Sequence, residues 1–401
     1  AYLQRQQSRL REVEALNALA AAQMATDHYL DATVTAVSAG EQLQSIRTLG
    51  VLESVASVIR QQTIGTLQQA TTLSTEQNRL EGHSQTVSAL AYSPDGTMIA
   101  SVGLDDLLNV WRADGRLINS VKLSPISKGY GSSVAFSADG QQIAIAHLDG
   151  TVTLWTPTGE SSVQTLQAHT DMVSTVAFSP DGKVLATAGR DESIALWTVV
   201  DGQEIQRWRG HEGWVNAVTW SPDSQQIASG GEDKQLKVWS ISDGQLLWAK
   251  GEHRERVASL DWNATGEWIA VGEGDRTVKL WNVRDRTSTI LGEHTTAAPG
   301  AFMAVHSVAF SPDGQQLAST SDDRSVRLWQ VETAALLTTF SGHEGIVVDA
   351  SWHPQGNQLL SASSDSSIRL WQMPNKTETL ADLSNVVFSP EGHQIAGIGW
   401  N

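Results

Sequence analysis

The sequence predicts a mainly β protein built as a seven-bladed β-propeller. One stretch recurs with small changes, as SPDGQQLASTSDDRSVRLW at residues 311–329 and SPDGKVLATAGRDESIALW at residues 179–197. Seven such units end in a tryptophan, and these tryptophans follow one another at intervals of 44, 42, 42, 42, 48 and 42 residues: Trp111, Trp155, Trp197, Trp239, Trp281, Trp329 and Trp371. A period of about 40–45 residues is typical of a four-stranded propeller blade.

Each unit has room for strands and tight turns only. Short apolar runs such as VSTVAF (173–178) and VLATAG (184–189) alternate with turn residues such as SPDG. This is strand patterning, and it leaves no space for the helices of a βαβ fold. We therefore expect the seven-repeat propeller to occupy residues 78–379.

Two further segments flank the predicted propeller. Residues 1–77 contain no repeat and place apolar residues at helical spacing, as at Leu10, Val13 and Leu16, which predicts an N-terminal α-helical arm or linker. Residues 380–401 begin another unit with NVVFSPEGHQIAGIGW and stop before its tryptophan-bearing strand. We expect an incomplete eighth repeat unit there, which indicates a truncation, an eight-bladed ring or the start of a second ring.

Composition excludes several classes of function. The chain carries 27 basic and 44 acidic side chains, a formal net charge of −17, which disfavours sequence-independent binding to phosphate backbones because such binding needs Lys and Arg facing the phosphates. It contains no cysteine, which removes disulfides and thiolate metal sites. Its most apolar helical run, residues 15–24, is shorter than the roughly 18 residues that span a bilayer. We expect a cytoplasmic protein with no nucleic-acid partner, no membrane span in this segment, no cofactor and no metal.

Three positions recur at fixed distances from the tryptophans. A histidine lies near the start of six units, an aspartate lies six residues before every tryptophan, and a serine or threonine lies ten residues before five of them. In this the units resemble the WD-repeat family, in which the four side chains form a buried hydrogen-bond network. The resemblance implies that structural network for the units that carry all four residues at a His-to-Trp interval of 28: His83, Ser101, Asp105, Trp111, His169, Thr187, Asp191, Trp197, His211, Ser229, Asp233, Trp239, His343, Ser361, Asp365 and Trp371.

Three units depart from this pattern. The second unit lacks the opening histidine and has Ile145 at the Ser/Thr position, and the fifth has Val271 there. The sixth contains seven extra residues within TTAAPGAFMAVH. We expect these blades to be locally less stable than the others.

A histidine, a serine and an aspartate in one unit also invite comparison with a hydrolase triad. An active site needs one such group in a cleft, whereas this group recurs about five times beside a tryptophan, so the structural role is favoured and no enzyme is expected. A propeller hydrolase with a site at the channel mouth is the less favoured alternative, with His306, Asp322 and Glu232 as its candidate residues. The acidic turns lack the ligand-rich loop of a calcium site.

The resemblance also implies where a partner would bind. In WD-repeat proteins, contacts concentrate at the residues three and five after the opening histidine and at the residue before the turn aspartate. On this sequence these positions, with the sixth-unit insertion beside them, give the following partner-binding residues: Trp214, Tyr130, Met172, Arg256, Arg190, Ile346, Val348, Leu104, Leu148, His306, Phe302 and Met303. Large apolar groups and arginines at loop positions favour a binding surface, with packing of these residues on one another as the alternative.

The helical segment followed by repeats further resembles the C-terminal WD-repeat sensor region of bacterial STAND-type signalling NTPases. Together these features predict a protein or peptide recognition platform that forms the sensor or scaffold part of a larger bacterial signalling protein. A purely structural, oligomerising scaffold is the main alternative.

Overall fold

The computed structural model describes residues 13, 15–19, 76–123, 131–156, 163–251, 253–294, 304–373, 383–388 and 395–399. Within them the chain forms seven four-stranded antiparallel sheets and one separate two-stranded sheet. The seven sheets are the blades of a propeller. The fold is therefore mainly β, as the tryptophan period predicts.

The strands of the first four blades follow one another in chain order. Blade 1 contains β2 (Val87–Tyr92), β3 (Met98–Gly103), β4 (Leu107–Arg112) and β5 (Leu117–Lys122). Blade 2 contains β6 (Gly131–Phe136), β7 (Ile143–His147), β8 (Thr151–Trp155) and β9 (Val163–Gln167). Blade 3 contains β10 (Val173–Phe178), β11 (Val184–Gly189), β12 (Ser193–Thr198) and β13 (Glu204–Arg209). Blade 4 contains β14 (Val215–Trp220), β15 (Gln226–Gly231), β16 (Leu236–Ser240) and β17 (Leu246–Lys250).

The last blade takes one strand from before the first repeat. Blade 5 contains β18 (Val257–Trp262), β19 (Trp268–Glu273), β20 (Thr277–Asn282) and β21 (Ser288–Glu293). Blade 6 contains β22 (Val305–Phe310), β23 (Gln316–Ser321), β24 (Val326–Gln330) and β25 (Leu336–Phe340). Blade 7 contains β26 (Val347–Trp352), β27 (Gln358–Ser363), β28 (Ser367–Gln372) and, as its outermost strand, β1 (Glu76–Glu81). This N-terminal strand closes the ring.

Each blade is a meander of four strands, which we call a to d from first to fourth. The seven blades are arranged around a central channel. Strand a of every blade packs against strand a of the next, from β2 and β6 round to β26 and β2. Strands a therefore line the channel. The repeat tryptophans lie at or next to the end of strand c and are at most 7 % exposed, because apolar residues of two neighbouring blades enclose them. At the closing seam, for example, Leu80, Ile99 and Trp111 share a cluster with Leu360 and Ile368.

The antiparallel meander places two kinds of connection at the same end of the ring. The d-to-a connections and the b-to-c turns share one face, which we call the upper face. On this side, strands a and b contain a register shift in all seven blades, as where Val215 pairs with Gly231 and Ala217 with Gly230. The residue skipped in blade 4 is Asn216. A bulge of this kind re-aims a side chain, so the second residue of each strand a is set apart from the ladder.

Side chains in the channel wall also bond one blade to the next. The backbone N–H of Phe310 donates to Oδ2 of Asp261 at 2.7 Å, and that of Leu90 donates to Oδ2 of Asp349 at 2.9 Å. Both carboxyl groups belong to the preceding blade. Burial raises the pKa of Asp261 to about 7 and that of Asp349 to about 6, against the lowering effect of these hydrogen bonds. The edges of β2, β10 and β22 thus find acceptors outside their own sheets.

The structure does not confirm the two segments predicted to flank the propeller. Val13 and residues 15–19 are helical, and this short helix does not support a helical arm over residues 1–77; the remainder up to residue 75 lies outside the described residues. Near the other end, β29 (Leu383–Phe388) and β30 (Ile395–Gly399) form an antiparallel pair. The eighth repeat unit stays a prediction. No helix in the described residues is long and apolar enough to cross a membrane.

Candidate functional site

Five blades contain a complete network of histidine, aspartate, serine or threonine, and tryptophan. In blade 7 the indole N–H of Trp371 donates to Oγ of Ser361 at 2.8 Å, and that oxygen lies 2.7 Å from Nε2 of His343. Nδ1 of His343 lies 2.9 Å from Asp365, which also accepts the backbone N–H of Glu344. The same side-chain contacts occur in the four other blades with these residues: His83, Ser101, Asp105 and Trp111; His169, Thr187, Asp191 and Trp197; His211, Ser229, Asp233 and Trp239; His294, Ser319, Asp323 and Trp329.

Burial and hydrogen bonding fix the protonation of the networks in blades 4, 6 and 7. Burial lowers the pKa of His211, His294 and His343, so each imidazole is neutral near pH 7. Burial alone would raise the pKa of Asp233, but the hydrogen bond from His211 and its further partners hold that pKa below the ordinary value. A neutral ring that donates from Nδ1 to a carboxylate presents Nε2 as an acceptor. The arrangement is a satisfied chain of donors and acceptors with no free nucleophile.

Blades 2 and 5 are built differently. In blade 2, Nε2 of His147 bonds to Oγ1 of Thr153 at 2.8 Å within the blade. In blade 5, Nδ1 of His253 bonds to Glu273 at 2.8 Å rather than to Asp275, and Lys279 pairs with the same carboxylate at 2.7 Å. With Val271 in place of a hydroxyl residue, Nε2 of His253 and Nε1 of Trp281 lack hydrogen-bond partners among the described residues.

The upper face has its own recurring bond. The residue before the turn aspartate donates its backbone N–H to the carbonyl of the residue three after the opening histidine, as from Arg190 to Met172 and from Glu232 to Trp214, both at 2.9 Å. Gly274 bonds in the same way to Arg256 at 3.0 Å. Two of the three partner-contact positions are therefore held side by side in each such blade.

Blades 3 to 6 bring these positions together around one groove of about 290 Å³. Its lining residues are Met172, Ser174, Arg190, Trp214, Asn216, Glu232, Arg256, Ala258 and His306. Four of them, Ser174, Asn216, Ala258 and His306, are bulge residues of strand a and also line the central channel. The groove thus opens beside the channel mouth.

Trp214 and Arg190 form the most distinctive contact of the groove. The guanidinium carbon of Arg190, from blade 3, lies 4.0 Å from the centroid of the Trp214 ring, from blade 4. Trp214 remains 42 % exposed. A guanidinium over an aromatic face is attracted by the ring quadrupole and loses conformational freedom. The pair therefore presents an ordered cation at the surface.

The opposite side of the groove is polar. Nε of Arg256 lies 3.8 Å from Oε1 of Glu232, and the same oxygen accepts a hydrogen bond from Nδ2 of Asn216 at 3.2 Å. Nδ2 of Asn216 also donates to the carbonyl of Val257 at 3.0 Å. These bonds connect blades 4 and 5 and hold Glu232 in place.

A histidine–aspartate pair completes this site. Nε2 of His306 lies 2.7 Å from Oδ1 of Asp322, and Oδ2 accepts the backbone N–H of Ala304 at 2.6 Å. Both side chains are partly exposed. Among the described residues no group of three or more metal-ligating side chains occurs.

The remaining predicted contact residues lie elsewhere. Leu104, Leu148 and Ile346 belong to blades 1, 2 and 7, outside the groove lining, and Val348 lines the channel. Leu148 and Ile346 are 36 % and 38 % exposed. Tyr130, Phe302 and Met303 lie outside the described residues.

Sequence reasoning overlooked Glu273, Lys279, Asp261 and Asp349. The two aspartates occur in strand a, where the other blades have small or hydroxyl residues at the equivalent positions. A carboxylate in an otherwise apolar strand pattern is a signal for a buried acceptor. Glu273 lies two residues before the expected aspartate, so only the rotamers of His253 and Glu273 reveal their pairing.

Comparison with known proteins agrees with the architecture. Residues 130–303 match the family described as IFT122 first beta-propeller, and residues 74–112, 292–330 and 334–372 match the WD domain, G-beta repeat. No curated protein matches the chain. The WD matches start before or within the outermost strand of one blade and end with strand c of the next, so the first match includes β1 together with strands a to c of blade 1. These matches support a place for the chain in the WD-repeat β-propeller family.

Proposed function

We propose that this propeller is a non-enzymatic platform for protein or peptide recognition, and that the groove of blades 3 to 6 is its binding site. A WD-repeat propeller fits such a role. The observation that carries the proposal is the convergence of Trp214, Arg190, Arg256 and Met172 on one groove beside the channel mouth. Tryptophan and arginine are the residue types enriched at binding hot spots.

The groove has the dimensions of a side-chain pocket. Its volume of about 290 Å³ lies just below the range for small-molecule pockets, roughly 300–1,000 Å³. It would take one or two side chains of a partner, while the surrounding upper face would contact the rest. The ordered Arg190–Trp214 pair supports this use, because a site that is fixed before binding loses less entropy on association.

A display library of random peptides, selected on the immobilised 401-residue chain, tests this proposal. We expect enriched peptides whose binding is lost in Trp214→Ala, because truncation removes a partly exposed hot-spot side chain. Val200→Ala is the matched control, since Val200 is 94 % exposed and lies outside the groove. Peptides that bind both variants equally would contradict a site at the groove.

The narrower role, as the sensor part of a cytoplasmic bacterial signalling protein, is a further part of this proposal. It is supported by the sequence resemblance alone. Its test is to measure whether a peptide that binds the groove changes the activity of a signalling protein that contains this propeller.

The hydrolase alternative is favoured by one observation, the 2.7 Å bond between His306 and Asp322 at the channel mouth. A histidine oriented by a carboxylate is the arrangement of a general base. Turnover of acyl or phosphoryl ester substrates that is lost in His306→Gln would establish this activity. We favour recognition because Arg190 and Trp214 serve binding and have no role in such a mechanism.

A further inference from the structure

We propose that the groove binds the carboxylate of an acidic peptide side chain through Arg190. This inference rests on the proposed function and adds the chemistry of the partner. It goes beyond the presence of a binding site, because it says which peptides the site selects.

The geometry of Arg190 suits it to bind a carboxylate. Its guanidinium is stacked on Trp214 at 4.0 Å, and its backbone N–H is bonded to Met172. In a stacked guanidinium the N–H groups point sideways in the plane of the group, where a carboxylate can accept two parallel hydrogen bonds. The stack therefore holds Arg190 ready for bidentate binding.

The charges around Arg190 also favour an anionic ligand. The charge of Arg256 has a counterpart inside the site, because its Nε lies 3.8 Å from Oε1 of Glu232, and Asp322 is hydrogen-bonded to His306 at 2.7 Å. Among the described residues Arg190 forms no ion pair. In a chain with net charge −17, this guanidinium is a local cation that an anion would complement.

The carboxylates of Glu232 and Asp322 favour a carboxylate ligand over a phosphate. The groove holds Glu232 on its wall, and Asp322 is bonded to His306 at its edge. These two carboxylates tolerate one negative charge opposite Arg190 more readily than the charge of about −1.5 to −2 that a phosphoserine carries at pH 7. A carboxylate is therefore the better fit.

Apolar surface continues beyond Arg190. Met172 lines the groove next to it, and the Trp214 ring is partly exposed. The thioether of methionine adapts to differently shaped apolar groups. We infer that the partner presents an aspartate or glutamate with an aliphatic or aromatic residue beside it.

The test uses soluble peptide pools with one central residue fixed as Glu, Gln, phosphoserine or Lys and the neighbouring positions randomised. Retention of each pool on the 401-residue chain is measured. We expect the Glu pool to be retained about tenfold or more above the Gln pool, the value for a charge-assisted hydrogen bond. Arg190→Gln should remove that preference, and Arg190→Lys should remove most of it because a lysine cannot bind in the bidentate mode.

Arg116→Gln is the matched control, since this arginine is 83 % exposed and outside the groove, so the preference should persist. Equal retention of Glu and Gln pools, or a phosphoserine or Lys pool that dominates, overturns the inference. If such pools still depend on Trp214, the recognition function stands and only its acidic specificity fails. If no pool depends on Trp214, the recognition function fails and the inference fails with it.

Discussion

At the scale of single residues, the hydroxyl at the Ser/Thr position determines whether the network of a blade is complete. In blade 7 it lies between the indole of Trp371 and the imidazole of His343. In blade 5 the fully buried Val271 occupies that place, and Nε1 of Trp281 and Nε2 of His253 lack hydrogen-bond partners among the described residues. A buried donor or acceptor without a partner costs about 1–3 kcal/mol.

This difference predicts opposite effects of two substitutions on the free energy of unfolding. Ser361→Ala should lower it by about 2 kcal/mol or more, because two buried ring nitrogens lose their partner. Val271→Ser should raise it by about 1 kcal/mol, since the new hydroxyl serves Trp281 and His253 and this outweighs the lost apolar burial. Urea unfolding measures both, with Ser84→Ala as the control because that side chain is exposed and only its backbone N–H bonds to Asp105. A loss of stability in Val271→Ser would show that blade 5 is already satisfied by other means.

The residue scale also shows what sequence can and cannot predict about the site. Spacing from the tryptophans locates Arg190, Trp214 and Arg256 on the upper face, because the repeat fixes the strand on which each residue lies. Spacing does not say which of these side chains meet, since the stack of Arg190 on Trp214 joins two blades and depends on rotamers. The binding role of these residues stays a prediction.

At the scale of elements, the two edges of strand a bond to different parts of the molecule. One edge pairs with strand b inside the blade, and the other edge must find partners across the gap to the neighbouring blade. Side chains supply these partners, as where Asp261 accepts the N–H of Phe310 and Ser351 in blade 7 accepts that of Tyr92 at 3.3 Å. The strand and turn pattern could be predicted from the two-residue period, but these bonds could not, because they join residues 49 or 259 positions apart.

The buried Asp261 predicts a dependence of stability on pH. Because burial raises its pKa from 3.8 to about 7, the folded protein holds this proton to higher pH than the unfolded chain does. Its contribution is fully present below about pH 4 and is lost as pH rises towards 7. Asp261→Ser introduces the residue type that Ser351 supplies at the same position of blade 7, so it keeps an acceptor without the charge. The stability of the variant relative to the wild type should increase by about 2 kcal/mol or more between pH 5 and pH 8, as measured by urea unfolding. Parallel curves would mean that Asp261 titrates near its ordinary value.

At the scale of the whole molecule, one strand determines whether seven blades form a ring. β1 is the outermost strand of blade 7, and Leu80, 3 % exposed, packs at the seam between blades 7 and 1. The period and the family resemblance suffice to predict this architecture. They do not predict the conformation of residues 1–77 outside β1, because apolar residues at helical spacing indicate a helix only where another surface covers them.

Closure by β1 predicts that Leu80→Ala destabilises the whole ring. We expect the free energy of unfolding to fall by about 2–5 kcal/mol, the range for removing a buried leucine side chain. Leu117→Ala is the control, because Leu117 is 48 % exposed on the outer strand of blade 1 and should change stability by less than about 0.5 kcal/mol. Thermal unfolding followed by circular dichroism measures both. Equal effects of the two substitutions would show that the seam does not depend on β1.

The same strand sets the order in which the protein can finish folding during its synthesis. β1 ends at Glu81, and its neighbour β28 begins at Ser367, 286 residues later. At a translation rate of about 5–20 residues per second, β1 waits roughly 15 to 60 s for its partner. Six blades can fold as they leave the ribosome, while an unpaired strand edge remains open to other chains. The interval between the first and the last repeat is therefore the period in which the nascent chain most needs protection.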